Sequence, residues 1–256
     1  MSVASAPRQV HVEPVMGTIV SIDVRSGAPA GDAIANVVTW LHEVDATFST
    51  YREDSVIRRL DRGAISLDKA GADVRRLLAR CEWLRRRTNG FFDVRARDGS
   101  LDPSALVKGW ALQRGAELLV AAGATDFCLT GGGDVVTRGE AAPGVSWLVG
   151  VQHPLDRSAL AAVLRAGDLA VATSATYERG AHIVDPHTGR PPAGVLSVTV
   201  IGPDLGLADA YATAAFAMGA DGPRWTLGLK GYEAMTILDG DIVLSTPLLP
   251  VDRAGA

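Results

Sequence analysis

The sequence predicts an α+β fold in which mixed or antiparallel sheets are packed by helices. Amphipathic helical patterns dominate the first half of the chain, whereas strand patterns follow one another in the second half. Some strands are joined by turns as short as the Asp-Gly-Asp sequence at 239–241, which suits antiparallel pairing better than a doubly wound parallel sheet. We expect a single domain over residues 9–250, between flexible ends at 1–8 and 251–256.

The first elements follow from residue spacing and capping signals. Closely spaced β-branched residues predict a strand over 15–24, and apolar residues recurring at three and four predict a helix over 33–48. A helix over 72–87 turns its apolar side inward and its arginines outward. A third helix, over 102–123, begins with an acidic cap and a proline and ends at a glycine.

The remaining elements are shorter. Apolar runs indicate strands over 127–129, 145–151, 169–172, 196–201, 233–238 and 242–244. Helical patterns interrupt them over 208–218 and 223–229.

Composition excludes several classes of function. With 25 Lys and Arg against 29 Asp and Glu, the formal charge is -4, so we expect no nucleic-acid partner. Cys81 and Cys128 lack the spacing of a disulfide framework or a zinc site. No apolar run approaches the ~18 residues of a membrane span and the start lacks a signal pattern, which predicts a cytoplasmic protein without membrane insertion.

Asp209 and Thr213 are the first candidate ligands. They are four residues apart in a predicted helix, which places a carboxylate and a hydroxyl on one face. Mg²⁺ prefers such oxygen donors and fills its other positions with water or substrate phosphate. A capping or surface role for the pair is the alternative.

Two further segments have the chemistry of a site. The segment 182–189 ends a strand and places His182 and His187 beside Asp185, a set that suits catalysis or a transition metal, unless Asp185 only forms a turn before Pro186. The glycines at 131–133 allow either a tight turn or close approach to a ligand. Lys108, near a helix start that favours phosphate, would add a point charge there if it is not simply solvated.

Taken in order, short motifs of this chain resemble those of the FAD:protein FMN transferase (ApbE-like) family. The resemblance covers residues 16–219 and is carried by Met16-Gly17-Thr18, Phe48-Ser49-Thr50-Tyr51, Asp54-Ser55, Gly90-Phe91-Phe92-Asp93, Val107-Lys108-Gly109-Trp110-Ala111, Gly132-Gly133-Asp134, Thr173-Ser174, Tyr177-Glu178-Arg179, the segment from His182 to Gly189, and Asp209-Ala210-Tyr211-Ala212-Thr213.

The resemblance implies a Mg²⁺-dependent transfer of FMN from FAD to a threonine of an acceptor flavoprotein, with release of AMP. It implies that Mg²⁺ is held by Asp209, Thr213 and the backbone carbonyls of Ala105 and Ala212. It gives His182 a catalytic role, with Asp185 the second catalytic candidate. The residues that it implies for the FAD pocket are Met16, Tyr51, Phe92, Asp93, Asp102, Lys108 and Ile183.

The chain also departs from the family pattern. The segment from Asp93 to Asp102 is shorter than usual, and Gln113, Thr130 and Ala175 replace a common acidic residue, asparagine and glycine. The alternatives are an FAD pyrophosphatase, in which water replaces the threonine, and a non-catalytic FAD-binding protein. A metal-dependent hydrolase that uses the histidines of 182–189 is a more distant reading.

Overall fold

A computed structural model describes residues 8–27, 30–96, 98–176 and 183–252. Its helices are α1 (Ala30–Phe48), α2 (Val56–Asp61), α3 (Ala72–Arg87), α4 (Ser104–Ala121), α5 (Leu205–Ala217) and α6 (Gly222–Thr226). Its strands are β1 (Gln9–Val15), β2 (Thr18–Gly27), β3 (Ala124–Gly131), β4 (Asp134–Arg138), β5 (Glu140–Ala142), β6 (Val145–Gln152), β7 (Leu160–Ala166), β8 (Ala170–Ala175), β9 (Val195–Gly202), β10 (Glu233–Leu238) and β11 (Ile242–Ser245).

The strands form two sheets. Eight of them pair in the order β1-β2-β3-β4-β8-β9-β10-β11, and β5, β6 and β7 form a separate three-stranded sheet. Every strand pair in the described residues is antiparallel. Chain neighbours are therefore also neighbours in the large sheet, except where β4 meets β8.

The large sheet lies between two layers. Its helical side carries the main core, in which α1, α4 and α5 bury residues such as Leu41, Leu112 and Leu205. Its other side packs on the small sheet through a second cluster that includes Trp147 and Ile237. The α+β fold expected from the sequence is confirmed, and the pairing is antiparallel rather than mixed.

Several predicted elements recur and others were missed. Helix α3 has the predicted bounds, whereas the strand predicted over 15–24 is the second half of a hairpin that begins at Gln9. Strands β4, β5 and β7 and helix α2 were not predicted. The sequence of β7, Leu-Ala-Ala-Val-Leu-Arg-Ala, is rich in helix formers, and its pairing with β6 overrides that preference.

The structure describes two residues of the expected flexible end at 251–256, and both contact strand β7. Val251 bridges to Leu164, and Asp252 forms an ion pair with Arg165 at 2.9 Å. At the other end, Arg8 pairs with Asp23 at 2.9 Å. Among the described residues, the helices are all too short or too polar to cross a membrane.

Candidate functional site

Met16 stands at the tip of the β1–β2 hairpin. Val15 pairs with Thr18, so Met16 and Gly17 form a two-residue turn, with φ angles of 54° and 69°. Such turns need positive φ at both central positions, and a methionine there is uncommon. Met16 is half-buried against the main core, so the turn projects from one end of the sheet at a defined place.

The β3–β4 hairpin ends beside that turn and receives Lys108. Gly131 pairs with Asp134, and Gly132 and Gly133 turn the chain with φ angles of 55° and 84°. A Cβ on Gly132 would lie 3.3 Å from both Lys108 Cδ and Thr18 Oγ1, so the lysine side chain and Thr18 both pack close to this glycine. The glycines therefore allow the positive φ angles of the turn, and Gly132 also allows Lys108 and Thr18 to approach the backbone closely.

Two acceptors on this hairpin hold the Lys108 ammonium group. Nζ donates to the Gly132 carbonyl at 3.2 Å and lies 3.1 Å from Asp134 Oδ2. The Asp134 side chain is 0% exposed, whereas that of Lys108 is 18% exposed. Of the two side chains in this ion pair, therefore, the lysine is the one that is accessible from outside.

The next residue of α4, Gly109, contacts helix α5 beside Asp209. A Cβ on Gly109 would lie 2.7 Å from the Leu205 carbonyl oxygen and 3.0 Å from Asp209 Cβ, so α4 and α5 touch through their backbones. Asp209 is 4% exposed. Ala105 lies one turn before Gly109 on the same face of α4. The contact thus places the Asp209 carboxylate beside the first turns of α4.

Polar contacts hold the first turn of α5. Asp204 caps the helix by accepting from Leu207 N at 2.7 Å, and it receives Arg80 Nη2 at 2.9 Å. Gln113 Oε1 accepts from Leu205 N at 2.9 Å, so the glutamine that departs from the family pattern caps α5 from α4. These bonds fix α5 against α3 and α4.

The donors around Asp209 fit a hard cation. Thr213 lies one turn further along α5, and its Oγ1 is 3.3 Å from Ser174 Oγ on β8. The carbonyls of Ala105 and Ala212 belong to helices, and a carbonyl oxygen has a second lone pair to offer. These donors are all oxygen, as Mg²⁺ prefers. No group of three or more His, Cys, Asp or Glu side chains suited to a metal occurs in the described part of the chain.

The segment after residue 182 forms a tight turn. Asp185 Oδ1 accepts from His187 N and Oδ2 from Thr188 Oγ1, both at 2.9 Å. The His187 ring packs edge-on to Phe91, with centroids 4.6 Å apart, and lies 3.1 Å from where a Cβ on Gly90 would be. His182 lies outside the described residues, so its catalytic role stays a prediction, as does that of Asp185.

Asp93 and Asp102 flank the shortened segment. Arg95 bridges to Leu101, which closes the segment into a small hairpin, and Asp102 N donates to Val94 O at 2.7 Å. Asp93 accepts from Arg95 N at 2.8 Å and Asp102 from Ser104 N at 3.0 Å, at the start of α4. Both carboxylates thus accept backbone hydrogen bonds in the segment that leads into α4.

Three other predicted pocket residues differ in burial. Tyr51 is 90% exposed, Ile183 is half-buried against the main core, and Phe92 is 1% exposed. A Phe92 side chain so deep in the core supports the segment from behind.

A cavity of about 560 Å³ includes Asp93 and Arg95 in its lining. A larger one, of about 660 Å³, lies among α1, α3 and α4 around Trp40 and Trp110, away from the predicted site residues.

Sequence reasoning gave no role to Asp134, Ser174 or Gly109. Asp134 and Ser174 stand in motifs that resemble the family, but their partners lie 26 and 39 residues away in the chain (134 − 108 and 213 − 174). The glycine inside a helical pattern was the one local signal, because such a residue costs helix stability and often marks a packing contact.

Comparisons with known proteins identify relatives of this chain. The sequence model of the ApbE family matches residues 16–98 and 94–236. An FAD:protein FMN transferase of Vibrio cholerae is 33% identical over 131 residues, which are 47% of this chain and 39% of the relative. That of Rhodobacter capsulatus is 36% identical over 157 residues, 57% of this chain and 30% of the relative. The matched segment is thus less than half the length of each of these relatives.

Solved structures share the fold. The ApbE protein of Thermotoga maritima superposes with a TM-score of 0.83 at 23% identity, over 94% of this chain and 97% of its own. The flavin transferase ApbE of Vibrio cholerae gives a TM-score of 0.82 at 23% identity over the same shares.

Proposed function

The chain belongs to the ApbE family, and on that premise we propose that it transfers the FMN half of FAD to a threonine of an acceptor protein in a Mg²⁺-dependent reaction that releases AMP. The observation that carries this proposal is that α4, which presents Lys108, packs through Gly109 against the part of α5 that holds Asp209 and Thr213. A cationic side chain beside oxygen donors for a divalent cation suits a pyrophosphate. The matched relatives are named FAD:protein FMN transferase, which supports the transfer of FMN from FAD to a protein.

In this proposal the cation site consists of Asp209, Thr213 and the carbonyls of Ala105 and Ala212. A bound magnesium ion would offset the negative charge of the pyrophosphate and of the departing AMP. Asp209 contributes the one carboxylate of this set, so it largely sets the affinity for the cation. Ser174, 3.3 Å from Thr213 Oγ1, orients the threonine hydroxyl.

The rest of the proposed site binds FAD. Lys108 places its charge against the phosphates, and Met16 and Ile183 offer apolar surface to the flavin. The exposed ring of Tyr51 is free to stack on the isoalloxazine, a contact that aromatic pairs favour. Asp93 and Asp102 complete the pocket at the start of α4, and Phe92 supports it from the core.

We assign the proton transfer to His182. The Oγ of the acceptor threonine attacks the FMN-side phosphorus, so a new P–O bond forms while the bond from that phosphorus to the bridging oxygen breaks. The bridging oxygen leaves with AMP, and the hydroxyl proton passes to His182. An imidazole with an ordinary pKa of about 6.5 is a competent acceptor near neutrality. Asp185 holds the turn that follows His182.

Asp209→Asn tests the metal assignment. The substitution keeps the size and one oxygen but removes the charge, so the Mg²⁺ requirement should rise sharply and transfer should nearly vanish at ordinary magnesium. The assay follows AMP release and the mass of a threonine-containing acceptor peptide across a magnesium titration. Asp221→Asn, on the exposed turn after α5, is the matched control.

Three results would contradict this proposal in different ways. Full activity of Asp209→Asn at low magnesium would remove Asp209 from the cation site. Release of FMN and AMP by the unaltered chain without a modified peptide would favour FAD hydrolysis. FAD binding without AMP release at any magnesium concentration would favour a non-catalytic binding protein.

A further inference from the structure

The ion pair between Lys108 and Asp134 joins α4 to the β3–β4 hairpin. Its two members differ in access, because the carboxylate side chain is 0% exposed and the lysine side chain 18% exposed. A ligand at the end of the sheet can therefore reach Lys108 and cannot reach Asp134. Asp134 can act on such a ligand through the position of the lysine.

Stability alone is a poor reason for this pair. An ionised carboxylate loses its hydration on burial, and replacing a buried ion pair by apolar residues of similar volume is often neutral or stabilising. A buried negative charge would also repel an anionic ligand unless it served to hold a cation. The pair is better explained by a requirement that the ammonium group stay in one place.

The surroundings of Lys108 specify that place. Nζ also donates to the Gly132 carbonyl at 3.2 Å, so both acceptors belong to the same hairpin. The lysine has four rotatable bonds, and its Cδ lies 3.3 Å from where a Cβ on Gly132 would be, so its stem packs against the hairpin turn. The geometry thus fixes a side chain that is otherwise among the most mobile in proteins.

We propose that Asp134 is a positioning residue for FAD, which holds the Lys108 ammonium where the donor's pyrophosphate binds. This inference rests on the proposed function and deepens it. Asp134 touches no substrate in this scheme. Its removal leaves the charge of Lys108 in the protein but frees the group to leave the phosphates.

The test is a double-mutant cycle on FAD binding. The variants are Asp134→Asn, Lys108→Met and the double variant, compared by flavin fluorescence titration and by the KM for FAD in the transfer assay. Lys108→Met removes a charged contact with the phosphates and Asp134→Asn removes the group that holds it, so each single change should weaken FAD binding by about tenfold or more. The double variant should bind no more weakly than Lys108→Met, because Asp134 acts only through the lysine.

Two further variants separate positioning from a general structural role. Asp134→Glu retains the charge and should recover part of the affinity that Asp134→Asn loses. Glu117→Gln breaks an exposed ion pair with Arg114 on the same helix and should leave KM unchanged. The kcat at saturating FAD should change less than KM in Asp134→Asn.

Several outcomes would overturn the inference. One is wild-type FAD affinity in Asp134→Asn, and another is a further loss of affinity when Asp134→Asn is added to Lys108→Met. Unfolding of both Asp134→Asn and Asp134→Glu would assign the carboxylate to stability instead. If the unaltered chain does not bind FAD, the proposed function fails before any variant is made, and the inference fails with it.

Discussion

The contact between α4 and α5 gives a sharp test of how the cation site is built. Gly109→Ala adds one methyl group where α5 crosses α4. That Cβ would lie 2.7 Å from the Leu205 carbonyl oxygen, 3.0 Å from Asp209 Cβ and 3.1 Å from Gly206 Cα. Carbon atoms in contact usually lie about 3.5–4.0 Å apart, so α5 must move away by about half an ångström.

The cost in stability should be modest. Overpacking typically lowers the free energy of unfolding by about 1–3 kcal/mol, whereas replacing glycine by alanine within a helix raises it by about 1 kcal/mol. The net loss is then about 0–2 kcal/mol, or a fall in Tm of at most about 8 °C for a chain of this size. A metal site, in contrast, tolerates ligand displacements of only about 0.2 Å. The Mg²⁺ requirement for AMP release should therefore rise about tenfold or more in a protein that still folds.

The measurement pairs a magnesium titration of AMP release with thermal unfolding. Gly167→Ala is the control, since a Cβ there meets no atom within 4 Å. An unchanged magnesium requirement in folded Gly109→Ala would refute the idea that the close helix contact sets the position of Asp209.

Three other predictions concern separate parts of the molecule. Ser174→Ala removes the hydroxyl beside Thr213 Oγ1, so magnesium binding should weaken by about 1 kcal/mol, or roughly fivefold in a magnesium titration. An unchanged magnesium affinity would show that the contact does not matter for the cation. FAD should bind more tightly than FMN in calorimetry, because FMN lacks the pyrophosphate that Lys108 would meet, and equal affinities would count against the site. Burial raises the pKa of the Cys81 and Cys128 thiols to about 12, so both thiols stay neutral at pH 8. They should therefore react with a disulfide reagent only after the protein unfolds. Rapid labelling of the native protein would contradict this.

Local pattern was enough for part of the fold. Helix α3 ends where its apolar spacing ends, and the bounds predicted for it are those observed. Strand β1 was missed although polar and apolar residues alternate in Gln-Val-His-Val-Glu-Pro-Val, because the segment contains a proline, which an edge strand accepts. Helix propensity hid β7, whose structure depends on a partner strand rather than on its own residues.

The same limit applies to the candidate site. Asp209 and Thr213 were found together because helical periodicity relates them directly. Ser174 and Asp134 reach their partners only through sheet pairing and helix packing, which single-sequence periodicity does not encode. For Asp185, in contrast, the local sequence was sufficient. The turn that the following proline suggested is present, and Asp185 accepts its hydrogen bonds.

The junction between β4 and β8 has a consequence for folding. On one side of it β1 to β4 pair in chain order, with α1 to α4 between β2 and β3, and on the other side β8 to β11 form a second meander, with α5 and α6 between β9 and β10. Joining them closes a loop over residues 139–169, at an entropic cost of about 3 kcal/mol for 31 residues (169 − 139 + 1). Lys108 and Asp134 belong to the first half, and Ser174, Asp209 and Thr213 to the second. The proposed site therefore spans the seam, and neither half of the chain can assemble it before the two meanders have joined.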